Sequence, residues 1–140
     1  KNFLAYKNCT LFKPNLKEVK EGLKITIGDI SVQNLNKVHT ALNESLQNVI
    51  SFITLSEHGV YFSDGKEQKL IPTHIRNISD VSGAGDTVIA VASLVYASSK
   101  NILLAAEISN IAGGMVCELV GTAPINKNDL AAEVAKLLTK

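Results

Sequence analysis

The chain has 140 residues, 46% of them hydrophobic and 19% charged, and its 14 basic and 13 acidic side chains leave a formal charge of +1. That is one globular domain's worth of sequence, able to bury roughly 70% of its extended surface, and a near-neutral charge with no Arg- or Lys-dense segment speaks against nucleic-acid or anionic-membrane binding. No apolar run approaches the roughly 20 residues that span a bilayer and the start, Lys1-Asn2-Phe3-Leu4, lacks a secretory core, so a cytoplasmic protein is expected.

Two distant cysteines, Cys9 and Cys117, suit reduced thiols better than a disulfide framework, and the dispersed His39, His58 and His74 suggest no zinc site. The only Met is Met115, so the chain begins as though cut from something longer.

Along the chain, Thr10-Leu11-Phe12 predicts a short strand, and Pro14 precedes a charged helical turn running through Glu18 to Leu23 and ending near Gly22. Ser31 can cap a helix whose Val32, Leu35, Val38, Leu42 and Leu46 recur at three- and four-residue spacing. The β-branched run Val49 to Leu55 is too short for a helix and predicts a buried parallel strand, which Gly59 breaks. Val60 to Ser63 and about Lys69 to Ile75 follow as strands, joined by the turn Ser63-Asp64-Gly65-Lys66, and resemble an antiparallel edge on a parallel sheet. Helices are then expected over Thr87 to about Ser98, Ile102 to about Leu119, and Asn128 to Leu138, the first two apolar nearly all round and therefore buried. Strands alternating with helices, then helices stacked late, indicate an α/β layered domain.

Chemistry concentrates in Asp80-Val81-Ser82-Gly83-Ala84-Gly85-Asp86-Thr87, between the last strand and a long apolar helix. Two glycines around an alanine let backbone N–H groups converge, and the helix adds its positive N-terminal end, which together make an anion cradle. Read alone, a Gly-x-Gly before a helix is also an ordinary turn, and Asp86 also a residue complementing the dipole. A cradle and a carboxylate in one loop suit phosphoryl transfer, in which fixed donors hold charge and a base takes the proton of the attacking hydroxyl.

This stretch, with Ala90, resembles the C-terminal signature of the ribokinase-like (PfkB) carbohydrate kinases, departing at Val91 where the family keeps Ala or Gly. The resemblance implies Asp86 as catalytic base and Gly83, Ala84 and Gly85 as the anion hole. Asn15-Leu16-Lys17-Glu18 resembles the family's Asn-x-x-Glu motif, which implies that Asn15 and Glu18 organise magnesium, Glu18 largely through water. Read alone, the same residues are an N-cap and its reciprocal capping-box partner. Thr54-Leu55-Ser56-Glu57-His58-Gly59 sits where many relatives have Gly-x-x-Gly. It implies nucleotide contacts at Ser56 and Gly59; alone it is a strand-to-strand turn with His58 idle. Asn110 to Cys117 reads alone as close helix packing through Gly113 and Gly114; by resemblance Asn110 flanks the adenine pocket and Gly121-Thr122 closes over the nucleotide. In many relatives this loop, with the backbone near Asp80 and Ser82, also holds a monovalent cation.

Ser56-Glu57-x-Gly59, with Phe3 to Glu18 and Ala112 to Ala123, is similar to the heptose 7-phosphate kinase branch of that family. The resemblance therefore implies a ribokinase-like three-layer α/β fold, of which this is the C-terminal, nucleotide-binding part. It also implies ATP and Mg2+ as cofactors and a sugar phosphate as acceptor, phosphorylated at its anomeric hydroxyl to a 1,7-bisphosphate for ADP-heptose and lipopolysaccharide synthesis. A homodimer and a fused adenylyltransferase domain belong to the same expectation. The alternatives are another PfkB kinase, ribokinase- or fructokinase-like, and a nucleotide-binding piece without catalysis. Lys13, Lys17, Lys20 and Lys24, with Glu18 and Glu21, read as a solvated helix face.

Overall fold

The computed structural model describes residues 2–73, 84–117 and 125–138. They fall into two compact units, Lys1–Pro72 and Thr73–Lys140.

The first unit is a four-stranded sheet with two helices. Strands β1 (Leu11–Phe12), β2 (Ile50–Thr54), β3 (Val60–Ser63) and β4 (Gln68–Ile71) lie in sequence order across the sheet. β1 and β2 run parallel, and β3 and β4 are added antiparallel, the mixed arrangement expected from the sequence. Every residue of β2 but Thr54 is buried, which explains its unbroken apolar and small composition. Val49, expected inside this strand, lies before it and is 54% exposed.

Helix α1 (Leu16–Leu23) begins at the Asn15 cap and α2 (Val32–Leu46) at Ser31, whose Oγ accepts from the Asn34 N–H at 3.2 Å. Leu35, Val38, Leu42 and Leu46 point from α2 into a core shared with Val19, Ile53, Leu55 and Tyr61. Val32, at the first helical position, stays 37% exposed.

Gly22 does not end α1. The helix stops one residue later at Leu23, with Lys24 left-handed as the cap, and a Cβ on Gly22 would overlap the Phe3 ring. That glycine serves a close approach, not a stop signal. Between β3 and β4, Asp64 closes a turn whose Oδ1 accepts from the Lys66 and Glu67 N–H groups at 2.9 and 2.7 Å, while Gly65 takes a φ of +87°. β4 begins at Gln68 and ends at Ile71; His74 and Ile75, expected in it, lie outside the described residues.

The second unit holds α3 (Ala84–Ser99), α4 (Ile102–Cys117) and α5 (Lys127–Leu138). α3 and α4 form a helical hairpin through left-handed Lys100 and Asn101, whose Oδ1 caps α4 at the Leu104 N–H, 3.0 Å away. A Cβ on Gly113 would come within 2.8 Å of Val88 Cγ2, so this glycine sets how closely the pair approaches. α4 is largely buried, as expected. α3 is not: of its side chains only Val88 and Ala92 are buried, and Leu94 is 69% exposed. Its larger apolar side chains besides Val88, among them Ile89, Val91, Leu94 and Val95, are left half-buried or exposed. No helix among the described residues is long and apolar enough to cross a membrane.

Candidate functional site

In the first unit, geometry converges at the carboxyl ends of the two parallel strands. Thr54 N donates to Pro14 O at 3.1 Å, and Asn15 bridges Thr54 in parallel register, so the segment after β1 runs beside the end of β2. The Asn15 motif and the Ser56 loop, 41 residues apart by their numbers, thereby become neighbours. Ligands of open α/β sheets bind at such strand ends.

Asn15 has extended backbone geometry, and its Oδ1 accepts from the Glu18 N–H at 2.8 Å while its own N–H donates to Glu18 Oε2 at 2.8 Å. This is a complete capping box. It consumes one oxygen of each side chain and leaves the Asn15 amide nitrogen and the second Glu18 oxygen for other work. Both residues are exposed. Among the described residues no three His, Cys, Asp or Glu side chains gather around a metal-sized space. One available carboxylate fits magnesium, which keeps several waters and takes few protein ligands.

After Leu55 the chain makes one 3-10 turn over Ser56–His58 and leaves through Gly59. Ser56 is left-handed at φ +53°, and Gly59 at φ +93° and ψ −137° occupies a region that side-chain-bearing residues avoid. Leu55 N to Gly59 O at 2.9 Å and Gly59 N to Ser56 O at 3.1 Å pin the loop at both ends. A glycine at the first position would have no steric cost; serine carries about 1 kcal/mol there. His58 is exposed, with Nε2 3.5 Å from Glu57 Oε1.

These segments line a cleft of about 690 Å³, walled by Asn15, Leu16, Lys17 and Lys20 of the α1 region and by Thr54 and Ser56 through His58 opposite. Lys17 and Lys20 are exposed, as a solvated helix face would be, yet they face this cleft. The sequence signal for that was available: Lys17 is a cation in the first turn of a helix, where the dipole disfavours it.

In the second unit, α3 starts three residues earlier than Thr87, so Ala84 and Gly85 share its first turn with Asp86, which was expected there. Alanine favours helix, and Asp86 complements the positive end. The first N–H groups of a helix lack intrahelical partners, so the anion cradle expected here would be made of helix-terminal amides. Asp86 is exposed. Gly83 lies outside the described residues, as do Asp80, Ser82, Gly121 and Thr122. Asn110 lies on α4, only 5% exposed, three residues before the Gly113 approach to Val88. In the described residues the small side chains of this stretch serve helix packing.

Residues 4–129 match the sequence model of the pfkB family of carbohydrate kinases. Over 130 residues the chain is 38% identical to the bifunctional protein HldE of Helicobacter hepaticus, a match covering 93% of this chain and 27% of that protein. The HldE protein of Sulfurimonas denitrificans is 35% identical over 136 residues, 97% of this chain and 28% of the relative. The chain thus spans little more than a quarter of the length of these curated relatives. Phosphofructokinase-2 from Escherichia coli, crystallised in complex with potassium, superposes with a TM-score of 0.84 at 20% identity over 96% of this chain and 43% of that one. Ribokinase from Thermotoga maritima does so with 0.72 at 19% identity, over 88% and 41%. The fold is therefore the ribokinase-like α/β fold expected from the sequence.

Proposed function

The chain belongs to the pfkB family of carbohydrate kinases, and from that premise we propose that it carries the nucleotide-binding and phosphoryl-transfer elements of an ATP-dependent sugar kinase. The observation that supports this reading most is the meeting of Asn15, the capping-box partner of Glu18, and the turn Ser56–His58 at one cleft beside the ends of two parallel strands.

Asp86 takes the proton of the acceptor hydroxyl as that oxygen forms its bond to the γ-phosphorus and the bond to the β-phosphate oxygen breaks, releasing ADP. Gly83, Ala84 and Gly85, through backbone N–H groups, hold the charge spread over the transferred group. Ser56 and Gly59, with Asn110 and Gly121, bind the nucleotide. Glu18 and Asn15 orient the water around magnesium, which supplies charge neutralisation at the phosphates when bound. A monovalent cation belongs to the same proposal, since one fold neighbour was crystallised with potassium.

The acceptor we propose is D-glycero-D-manno-heptose 7-phosphate, phosphorylated at its anomeric hydroxyl to the 1,7-bisphosphate for ADP-heptose and lipopolysaccharide core synthesis in the cytoplasm. Ser56-Glu57-x-Gly59 and the HldE matches support it. The word bifunctional in those relatives' names supports a second activity in a longer parent; the fused adenylyltransferase and the homodimer belong to the same proposal. A second reading, nucleotide binding without turnover, draws support from the 27% coverage of the relative, because positioning the acceptor supplies much of the rate.

The test is calorimetric titration of the chain with Mg-ATP, followed by a transfer assay, in the chain and in a longer parent, on heptose 7-phosphate, fructose 6-phosphate and ribose. Binding with transfer to the heptose phosphate is expected in the parent. Preference for an unphosphorylated sugar overturns the heptose assignment, and binding with no transfer by the chain alone selects the second reading for it.

A further inference from the structure

We propose that Lys17, seconded by Lys20, is a phosphate-binding cation of the first-unit cleft and recognises the polyphosphate of a nucleotide, an inference that rests on the nucleotide reading of that cleft. Both lysines line it, one helical turn apart on α1, facing the Ser56–His58 turn.

Helix stability does not account for Lys17. It sits in the first turn of α1, where the dipole disfavours a cation and where the Glu18 carboxylate is already engaged by the Asn15 N–H. Its ion pair with Glu21 Oε1, at 3.9 Å, is long, lies between side chains 83% and 66% exposed, and runs Lys before Glu, the weaker orientation for i,i+4 pairs. A local rule broken without local compensation marks a position held for another purpose. An anion in the cleft supplies that purpose, because it turns the lysine, the first-turn amides and the dipole from mutually repelling groups into joint donors.

The remaining charges of the cleft sharpen the assignment. Glu21 lies beside Lys17 and Glu57 stands on the opposite wall, whereas Lys20 has no ion-pair partner among the described residues. Lys20 thus leaves on the same wall an ammonium that no ion pair holds, in a lining of two lysines, Glu21 and Glu57. A triphosphate suits this wall, and an uncharged nucleoside gains nothing from it.

The experiment measures Mg-ATP and adenosine affinity by calorimetry for the chain and its Lys17→Gln, Lys17→Arg and Lys20→Gln variants, with thermal unfolding of each without ligand. Lys17→Gln is expected to weaken Mg-ATP binding about 5- to 10-fold and Lys20→Gln about 2- to 5-fold, with adenosine unchanged. Lys17→Arg should stay within about twofold of the unsubstituted chain. The unliganded Lys17→Gln chain should unfold at the same temperature or higher, since a charge opposing the dipole is gone. Mg-ATP affinity within twofold after Lys17→Gln, or an equal fall for adenosine, overturns the proposal while leaving the nucleotide reading intact. Failure of the unsubstituted chain to bind either compound sinks that reading and the proposal together.

Discussion

Replacing Ser51 by alanine should cost far more than the loss of one small hydroxyl suggests. Ser51 is fully buried in β2, 2.7 Å from His39 Nδ1 on α2, and its Oγ accepts from Asn48 Nδ2 at 2.9 Å. Asn48 Nδ2 also donates to Ile50 O at 3.0 Å, and Asn43 Nδ2 reaches Asn48 O at 2.8 Å. Ser51 donates its proton to His39 Nδ1 when the imidazole is the neutral Nε2–H tautomer, and a hydroxyl can do so while accepting from Asn48. Deleting the oxygen leaves two buried groups without a partner, His39 Nδ1 and one Asn48 N–H, at about 1–3 kcal/mol each, against about 1–2 kcal/mol recovered by no longer burying a hydroxyl. A net loss of about 2 kcal/mol follows.

The pH dependence gives the same argument a second handle. Burial pushes His39 below its ordinary value of 6.5, with Asp64 pulling partly the other way. The unfolded chain therefore binds a proton more readily, so this contribution to stability is complete above about pH 6.5 and is lost as pH falls through the lowered value. In the Nε2–H tautomer, removing Ser51 takes the donor from the neutral imidazole and the difference narrows. Urea unfolding followed by circular dichroism between pH 5 and 8 should show the Ser51→Ala penalty largest at neutral pH and shrinking toward acid. A penalty below about 0.5 kcal/mol, or one independent of pH, refutes the network.

Asp86→Asn, measured in a parent with transfer activity, should lower turnover about 10²-fold or more while leaving Mg-ATP affinity within a factor of about three; near-normal turnover removes Asp86 as the base. Gly113→Ala should cost about 1–3 kcal/mol in urea unfolding, because the new methyl meets Val88 Cγ2 at 2.8 Å, and adding Val88→Ala should restore part of it. If Gly113→Ala is neutral or stabilising, α3 and α4 do not pack that closely. Glu18→Gln preserves a capping-box partner but not the charge, so stability should change by less than about 0.5 kcal/mol while the magnesium dependence of ATP binding weakens; a matched loss of both would assign Glu18 to the helix alone.

Local signals were the legible ones. Asn15 with Glu18, Ser31 before α2 and the Asp64-Gly65 turn each satisfy neighbouring backbone groups within a few residues, so sequence spacing suffices to find them. Features set by distant partners were not. Gly22 resembled a helix stop because nothing nearby says that Phe3 folds over it, and the tie between His39 and Ser51 joins residues 12 positions apart across a helix and a strand. Ala84-Gly85 resembled a loop because glycine is a poor helix former, yet Asp86 at the positive end offsets that. Of the candidate site, the motifs were readable, but the cleft was not, since its two walls meet only through the parallel pairing of β1 and β2.

The two readings of Asn15–Glu18, capping box and magnesium motif, do not compete. A carboxylate on a free side chain loses rotamer entropy when it orients water around a metal, and a few tenths of a kcal/mol would not hold it. Here the hydrogen bond from the Asn15 N–H at 2.8 Å already fixes Glu18, and the reciprocal bond fixes Asn15, before any ligand arrives. The bridge from Asn15 to Thr54 then carries that fixed pair to the end of β2. The same bonds that start α1 thus hold the carboxylate against Asn15, which lines the cleft, so the ordering cost is met by folding and not by binding. A motif that looks purely structural in isolation is, in this position, the cheapest way to build a rigid acidic group where a polyphosphate and its magnesium are proposed to lie.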